Sequence, residues 1–185
     1  MALSKPAPQR GLVDVACLQL NLHKAQMATV QLAHDLLLRP ALAFLTEPYT
    51  AFGTLTAMPK GYQVFPSASM SPAPQAGMLV PQQLPAIAIP QFTTRDCSAV
   101  LVTLGGIRYL CVSGYLDITL PAIPDWLLQV VEYADSHQLR LIMGIDTNAH
   151  TPLFGGQDLN SRGEELEEFI LAHDLLVHNL SLIHI

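Results

Sequence analysis

Residues 13–48 read VDVACLQLNLHKAQMATVQLAHDLLLRPALAFLTEP, and this stretch decides the fold. The run 13–20 is mostly apolar and stops at Asn21, as a buried strand does. Residues 23–38 follow, with Ala25, Ala28, Leu32 and Leu36 spaced by threes and fours, as on one helical face. Pro40 lies just past the end of that segment, where proline is tolerated. Residues 41–46 form a second short apolar run, closed by Glu47-Pro48. Strand, helix, strand in this order predicts two parallel strands joined by a helical crossover.

Outward from there the pattern changes, then returns. Between residues 51 and 90 glycine and proline recur and the apolar runs are short, with strands expected at 62–65, 78–80 and 86–89. Residues 67–75 read as a surface loop. The runs 99–104 and 108–113 flank Gly105-Gly106-Ile107, a strong hairpin signal. Pro124 suits a helix start, and Leu127, Val130, Val131 and Ala134 give that helix an apolar face. Residues 139–145 form an apolar strand, followed by a polar loop over 146–159. Ser161 and Glu164 fit a capping box opening a helix whose face is Leu166, Phe169, Ile170 and His173. Another strand is expected to begin at 175–179. The fold class is α/β, a two-sheet sandwich flanked by helices.

Composition narrows the function. The chain has 185 residues, one domain's worth, and half are hydrophobic against 13% charged, which excludes a disordered chain. The greasiest stretch, 77–89, is broken by Pro85 and by glutamines, and no apolar run reaches the ~18 residues of a membrane span. Residues 1–12 are polar and proline-bearing, without a signal-peptide apolar region, and read as a flexible segment ahead of a domain over 13–180. An intracellular protein with no membrane partner is expected. Cys17, Cys97 and Cys111 stand far apart and predict neither a disulfide framework nor a zinc site; Cys17 and Cys111, in apolar runs, read as buried thiols. The net charge of −6 argues against a protein that grips DNA by its own electrostatics.

Several polar residues share one position in the pattern. Asn21, Glu47, Tyr115, and Asp146 with Asn148, each sit at or just past the end of a strand-like run. Such ends gather along one edge of a sheet protein and hold side chains rigidly at a cleft. Phosphodiester hydrolysis needs the phosphate charge neutralised by a hard cation, which takes one or two carboxylates plus waters. Glu47 can supply the carboxylate and Asn21 a neutral oxygen. Asp146 can take a proton from the attacking water. Asn148 and Tyr115 can donate hydrogen bonds to phosphate oxygens. Taken singly each has a plainer reading: Asn21, Glu47-Pro48 and Asp146-Thr147-Asn148 as turns, Tyr115 as packing, His23, His150 and His173 as surface or packing histidines. Their joint spacing carries the argument.

That spacing resembles a known family. Gln19-Leu20-Asn21, Thr46-Glu47-Pro48, Ser113-Gly114-Tyr115 and Gly144-Ile145-Asp146-Thr147-Asn148 resemble, in order, motifs of the endonuclease/exonuclease/phosphatase superfamily. Asp146-Thr147-Asn148-Ala149-His150, Leu153-Phe154-Gly155, Asn160-Ser161-Arg162-Gly163 and His173-Asp174-Leu175, with Arg95-Asp96-Cys97-Ser98-Ala99-Val100, are similar to the endonuclease domain of non-LTR retrotransposon polyproteins. The resemblance implies a two-sheet α/β sandwich and a Mg²⁺ or Mn²⁺ site served by Asn21 and Glu47. It implies that Tyr115 stabilises the transition state, Asp146 activates or orients the nucleophile and Asn148 binds phosphate, with His150 and Arg162 in support and Arg162 bracing the Asp146 loop. It further implies a DNA substrate, nicked to leave a 3′ hydroxyl that primes a fused reverse transcriptase, in the nucleus where the target is chromosomal.

The match departs in two places. Thr46 stands where the family often has glutamine. The family also continues to a Ser-Asp-His motif and an earlier aspartate that positions its histidine; His184 is not preceded by aspartate, and residues 181–185 read as a non-family tail. The resemblance therefore predicts a fold incomplete at the C-terminus, with impaired nicking and an exposed sheet edge. Two other readings stay open: a phosphoesterase acting on lipid or small-molecule phosphates, which the acidic charge favours, and a non-catalytic remnant domain.

Overall fold

The computed structural model describes residues 15–67 and 73–178. The first strand, β1 (Ala16–Asn21), is followed by α1 (Gln26–Leu38) and β2 (Ala41–Thr46). A small two-stranded ribbon, β3 (Thr50–Ala51) and β4 (Thr54–Leu55), leads to β5 (Tyr62–Pro66), β6 (Ala76–Pro81) and β7 (Ala86–Ala88). Then come the hairpin β8 (Cys97–Leu104) and β9 (Ile107–Tyr115), α2 (Asp125–Ser136), β10 (Arg140–Asp146) and α3 (Ser161–Ala172). Single 3₁₀ turns stand at Pro90–Phe92 and Pro152–Phe154. Among the described residues no helix is long and apolar enough to cross a membrane.

Two four-stranded sheets stack face to face. One runs β1-β2-β6-β5, the other β10-β9-β8-β7. Each has one parallel pair at its edge, β1 with β2 and β10 with β9, and antiparallel pairs elsewhere. The parallel crossover expected from residues 13–48 is therefore present, and α1 is its helix.

Strand alternation builds the layers. On β2, Leu42 and Phe44 face the second sheet and pack with Met78, Val80, Val100, Val102 and Cys111. Ala41, Ala43 and Leu45 point the other way, onto Leu32 and Leu36 of α1. On the second sheet, Leu110 and Val112 meet Val130 and Ala134 of α2. Leu127 and Val131 of α2 pack with Leu166 and Phe169 of α3. The order is helix, sheet, sheet, helices, as the sequence pattern predicted. The expected apolar face of α2 is buried at all four positions.

The structure corrects several local expectations. Strand β1 is an edge strand among the described residues, so Cys17 is exposed rather than buried. Cys111 is buried, and burial pushes its thiol up to about 12. Helix α1 starts at Gln26, not at residue 23, because His23 and Lys24 adopt left-handed backbone (φ 47° and 55°). Tertiary hydrogen bonds hold that turn: the His23 N–H donates to Asn21 Oδ1 and the Lys24 N–H to the Glu47 carbonyl. The β8–β9 turn is only Gly105-Gly106, both at positive φ, which matches the twist of the flanking strands. Ile107 thus belongs to β9. The cap of α3 is Asn160, whose side chain accepts from the Gly163 N–H, so Ser161 is the first helical residue and not the partner of a capping box. Residues 175–178 form no strand, and 179 lies outside the described residues, as do 1–14, 68–72 and 180–185. Ser67 and Gln75, expected at the ends of a surface loop, are both buried.

Candidate active site

The parallel pairs decide where the polar residues meet. On β1 and β2 the last paired residues are Asn21 and Thr46, and Glu47 follows directly. On β10 and β9 the last pair is Asp146 and Tyr115. The four strand ends therefore lie on the same side of their sheets, and sheet stacking brings them together.

Three hydrogen bonds fasten the sheets just below this edge. Gln19 Nε2 donates to the Ile145 carbonyl at 2.8 Å. Ser113 Oγ donates to the Leu45 carbonyl at 2.9 Å. Asn21 Nδ2 donates to Asp146 Oδ2 at 2.7 Å. The sheets come so close here that a Cβ on Gly144 would stand 2.4 Å from Phe44 Cβ. Glycine at 144 is thus a packing requirement of the site's floor.

Asp146 is held from two directions. Besides the Asn21 amide, the Asn148 N–H donates to its Oδ1 at 3.3 Å. Asn148 has left-handed backbone (φ 48°), which asparagine tolerates, and its Nδ2 donates to the Leu116 carbonyl at 3.1 Å. Its side chain also hydrogen-bonds Tyr115. Burial raises the pKa of the Tyr115 hydroxyl, the Asn148 hydrogen bond pulls it down, and the negative charges of Glu47, Asp146 and Asp117 raise it further. The net shift is upward, so this phenol stays neutral and keeps its proton to donate.

Glu47 sits in a strained turn. Its φ is +45°, ahead of the buried Pro48, in a region that costs a non-glycine residue about 1–3 kcal/mol. Its N–H donates to the Gln75 carbonyl and its carbonyl accepts from Lys24 N, so both neighbouring segments hold it there. Strain of this kind gathers at functional sites.

The stretch Asn160-Ser161-Arg162-Gly163 clamps the loop after Asp146. Asn160 Oδ1 accepts from the Gly163 N–H at 2.8 Å and from the His150 N–H at 3.2 Å. Arg162 donates from Nε to the Thr147 carbonyl, from Nη1 to Leu120 and from Nη2 to Asp117. A Cβ on Gly163 would stand 2.2 Å from the His150 carbonyl oxygen, so helix and loop touch through glycine. His150 contributes its backbone to this clamp while its ring is exposed.

Asn21, Tyr115, Asp146 and Asn148 are thus joined by direct contacts, and Glu47 is close enough for its charge to act on Tyr115. Sequence reasoning quoted Gln19, Ser113 and Arg95 only within motifs, with no role, and passed over Asp117. Gln19 left a trace: it lies two residues before Asn21, hence on the same face of an otherwise apolar strand.

The donors fit a hard cation. Among the described residues no three His, Cys, Asp and Glu side chains cluster to form a metal cage. Glu47 instead offers carboxylate oxygens, and Asn21, whose Oδ1 accepts from the His23 N–H and whose Nδ2 donates to Asp146, offers a neutral amide oxygen. That is the sparse set which Mg²⁺, keeping its waters, accepts and zinc does not.

Comparison with known proteins agrees with this architecture. Residues 109–182 match a protein-family model described as endonuclease-reverse transcriptase. The structure is similar to the solved "Endonuclease domain of TRAS1, a telomere-specific non-LTR retrotransposon", with a TM-score of 0.72 and 26% identity over 86% of this chain and 71% of that chain. No curated protein matches the sequence. The resemblance to the endonuclease/exonuclease/phosphatase superfamily, on its retrotransposon side, is borne out in fold and sequence.

Proposed function

We propose that this domain cleaves phosphodiester bonds in DNA with the help of a divalent cation. The Asn21–Asp146 hydrogen bond carries this reading, because it joins the two sheets at the point where Tyr115, Asn148 and Glu47 also arrive. Similarity to a retrotransposon endonuclease domain supports a nuclease function.

Mg²⁺ or Mn²⁺, held by Glu47 and Asn21, would neutralise the phosphate charge that otherwise repels a nucleophile. The chain's own groups do the rest. Asp146 accepts hydrogen bonds from Asn21 and the Asn148 backbone, which aim its carboxylate. It takes the proton from the attacking water. Tyr115 remains neutral and donates its O–H to a non-bridging oxygen as charge builds there. Asn148 steadies Tyr115, and it binds the same phosphate by exchanging its hydrogen bond to the Leu116 carbonyl for one to a phosphate oxygen. Arg162 holds the Thr147 carbonyl and keeps the loop behind Asp146 from relaxing. An open groove lined by Asn148, Ile118, Leu120 and Arg162 gives the strand a path away from the site.

As the water oxygen bonds phosphorus, the P–O3′ bond breaks and the departing oxygen takes a proton from solvent. The product expected is therefore a nick ending in a 3′ hydroxyl, suited to prime a fused reverse transcriptase on chromosomal DNA in the nucleus. Supercoiled plasmid tests this, since one cut per molecule changes its mobility even when turnover is slow. Relaxation requiring Mg²⁺, stopped by EDTA and lost in Asp146→Asn, supports the reading. Absence of nicking, or nicking indifferent to Asp146→Asn, overturns it. The net charge of −6 favours one other reading, hydrolysis of a smaller phosphate ester on the same site. Comparing plasmid, abasic-site DNA and an inositol phosphate as substrates separates the two.

A further inference from the structure

Arg95 lies outside the constellation above, yet it touches both halves of it. Its carbonyl accepts from the Gln75 N–H at 2.9 Å and from Ser67 Oγ at 2.7 Å. Gln75 in turn gives its carbonyl to the Glu47 N–H at 2.9 Å. The backbone of Arg95 is therefore one residue removed from the strained acidic turn of the first sheet.

The side chain of Arg95 reaches the second sheet. Its Nη1 lies 3.3 Å from Asp96 Oδ1 and 3.4 Å from Asp117 Oδ2. One carboxylate belongs to a residue bonded to Tyr115, the other to a residue two positions beyond it. The Asp96 carbonyl accepts the Tyr115 N–H at 2.8 Å. Asp117, two residues beyond Tyr115, caps its own turn by accepting from the Thr119 N–H and Oγ1. Its carbonyl is gripped from the other side by Arg162 Nη2 at 3.2 Å. One guanidinium nitrogen thus sits between two carboxylates that would otherwise repel each other across the strand end bearing Tyr115.

We propose that Arg95 is a positioning residue for Tyr115: by neutralising Asp96 and Asp117 it holds the 115–117 segment at the distance from Glu47 that the reaction needs. The inference rests on the nuclease reading above. Without the cation, the two carboxylates separate, and Asp117 moves Tyr115 with it. A shift of about an ångström in a transition-state donor is enough to cost a large factor in rate. Because a single nitrogen meets both carboxylates, a lysine ammonium can replace it, whereas a neutral side chain cannot.

The test is a double-mutant cycle on plasmid nicking in Mg²⁺. Arg95→Gln is expected to slow nicking about 10- to 100-fold in protein that keeps the wild-type circular dichroism spectrum, and Arg95→Lys to retain most of the rate. Combined with Tyr115→Phe, Arg95→Gln should slow nicking no further, because both changes remove the same contribution. Asp117→Asn keeps the acceptor for Thr119 and removes the repulsion; combined with Arg95→Gln it should restore most of the rate, and this double variant carries the test if Arg95→Gln alone does not fold. Multiplicative losses with Tyr115→Phe, or a normal rate in Arg95→Gln, overturn the proposal and leave the nuclease reading standing. Failure of the wild-type chain to nick overturns the nuclease reading and this one with it.

Discussion

Asn21 Nδ2 donates to Asp146 Oδ2 at 2.7 Å, joining residues 125 positions apart on β1 and β10, the edge strands of two different sheets among the described residues. The bond is possible only because both strands belong to parallel pairs that end together. It gives Asp146 a fixed direction, while the Asn21 oxygen accepts from the His23 N–H. Asn21→Ala removes the donor without filling the site. Plasmid nicking should fall about 10²-fold, the loss typical for deleting a catalytic hydrogen-bond donor, with an unchanged circular dichroism spectrum.

Tyr115 carries the pH prediction. Burial, and then the charges of Glu47, Asp146 and Asp117, outweigh the Asn148 hydrogen bond and raise its pKa. The hydroxyl therefore stays protonated past the usual phenol value of about 10. The nicking rate should show no alkaline loss attributable to Tyr115 below that value. In folding, the raised pKa of Tyr115 contributes stability that is intact below the unfolded phenol's range and is lost as pH climbs through the folded value. Tyr115→Phe should slow nicking at every pH and flatten stability measured by urea titration in this alkaline window.

The Asn160 clamp should be visible in stability. Asn160→Ala deletes the cap of α3 and the tie to the His150 N–H. A cost of about 1 kcal/mol is expected for the cap alone, and Asn160→Asp, which can accept both bonds, should restore most of it. Gly163→Ala drives a methyl against the His150 carbonyl and should cost about 1–3 kcal/mol in urea titration, with nicking falling as well because the Asp146 loop is displaced.

Gly144→Ala tests the close approach of the sheets. The added methyl meets Phe44 at both Cβ and Cγ. Overpacking of a core by one methyl costs about 1–3 kcal/mol. Replacing Phe44 with Leu leaves the Cβ in place, so the double variant should regain little of the lost thermal midpoint.

Much of this was legible in the sequence, for identifiable reasons. The β1–α1–β2 crossover showed itself through helical spacing between two short apolar runs, and α2 through four apolar residues that are all buried. The strand-end rule gathered Asn21, Glu47, Tyr115 and Asp146 because strand ends are where apolar periodicity stops. What escaped depended on contacts distant in sequence. The left-handed turn at His23 and Lys24 is imposed by Asn21 and Glu47, and no local signal shortens the helix there. The capping box at Ser161 and Glu164 was locally plausible, but Asn160 also reaches the His150 loop and so takes the cap. Cys17 looked buried because its strand is apolar, yet the edge position leaves it exposed. Arg95 was quoted only as part of a motif, since pairing with a carboxylate 22 residues away leaves no periodic trace.

The claim on which all of this depends is that Glu47 and its neighbours hold a cation. Titration of Mn²⁺ into the wild-type chain, followed by electron paramagnetic resonance and repeated with Glu47→Ala, tests it without requiring turnover. The account predicts one Mn²⁺ site whose affinity falls about tenfold or more when the Glu47 carboxylate is removed. The same affinity in both proteins would contradict it.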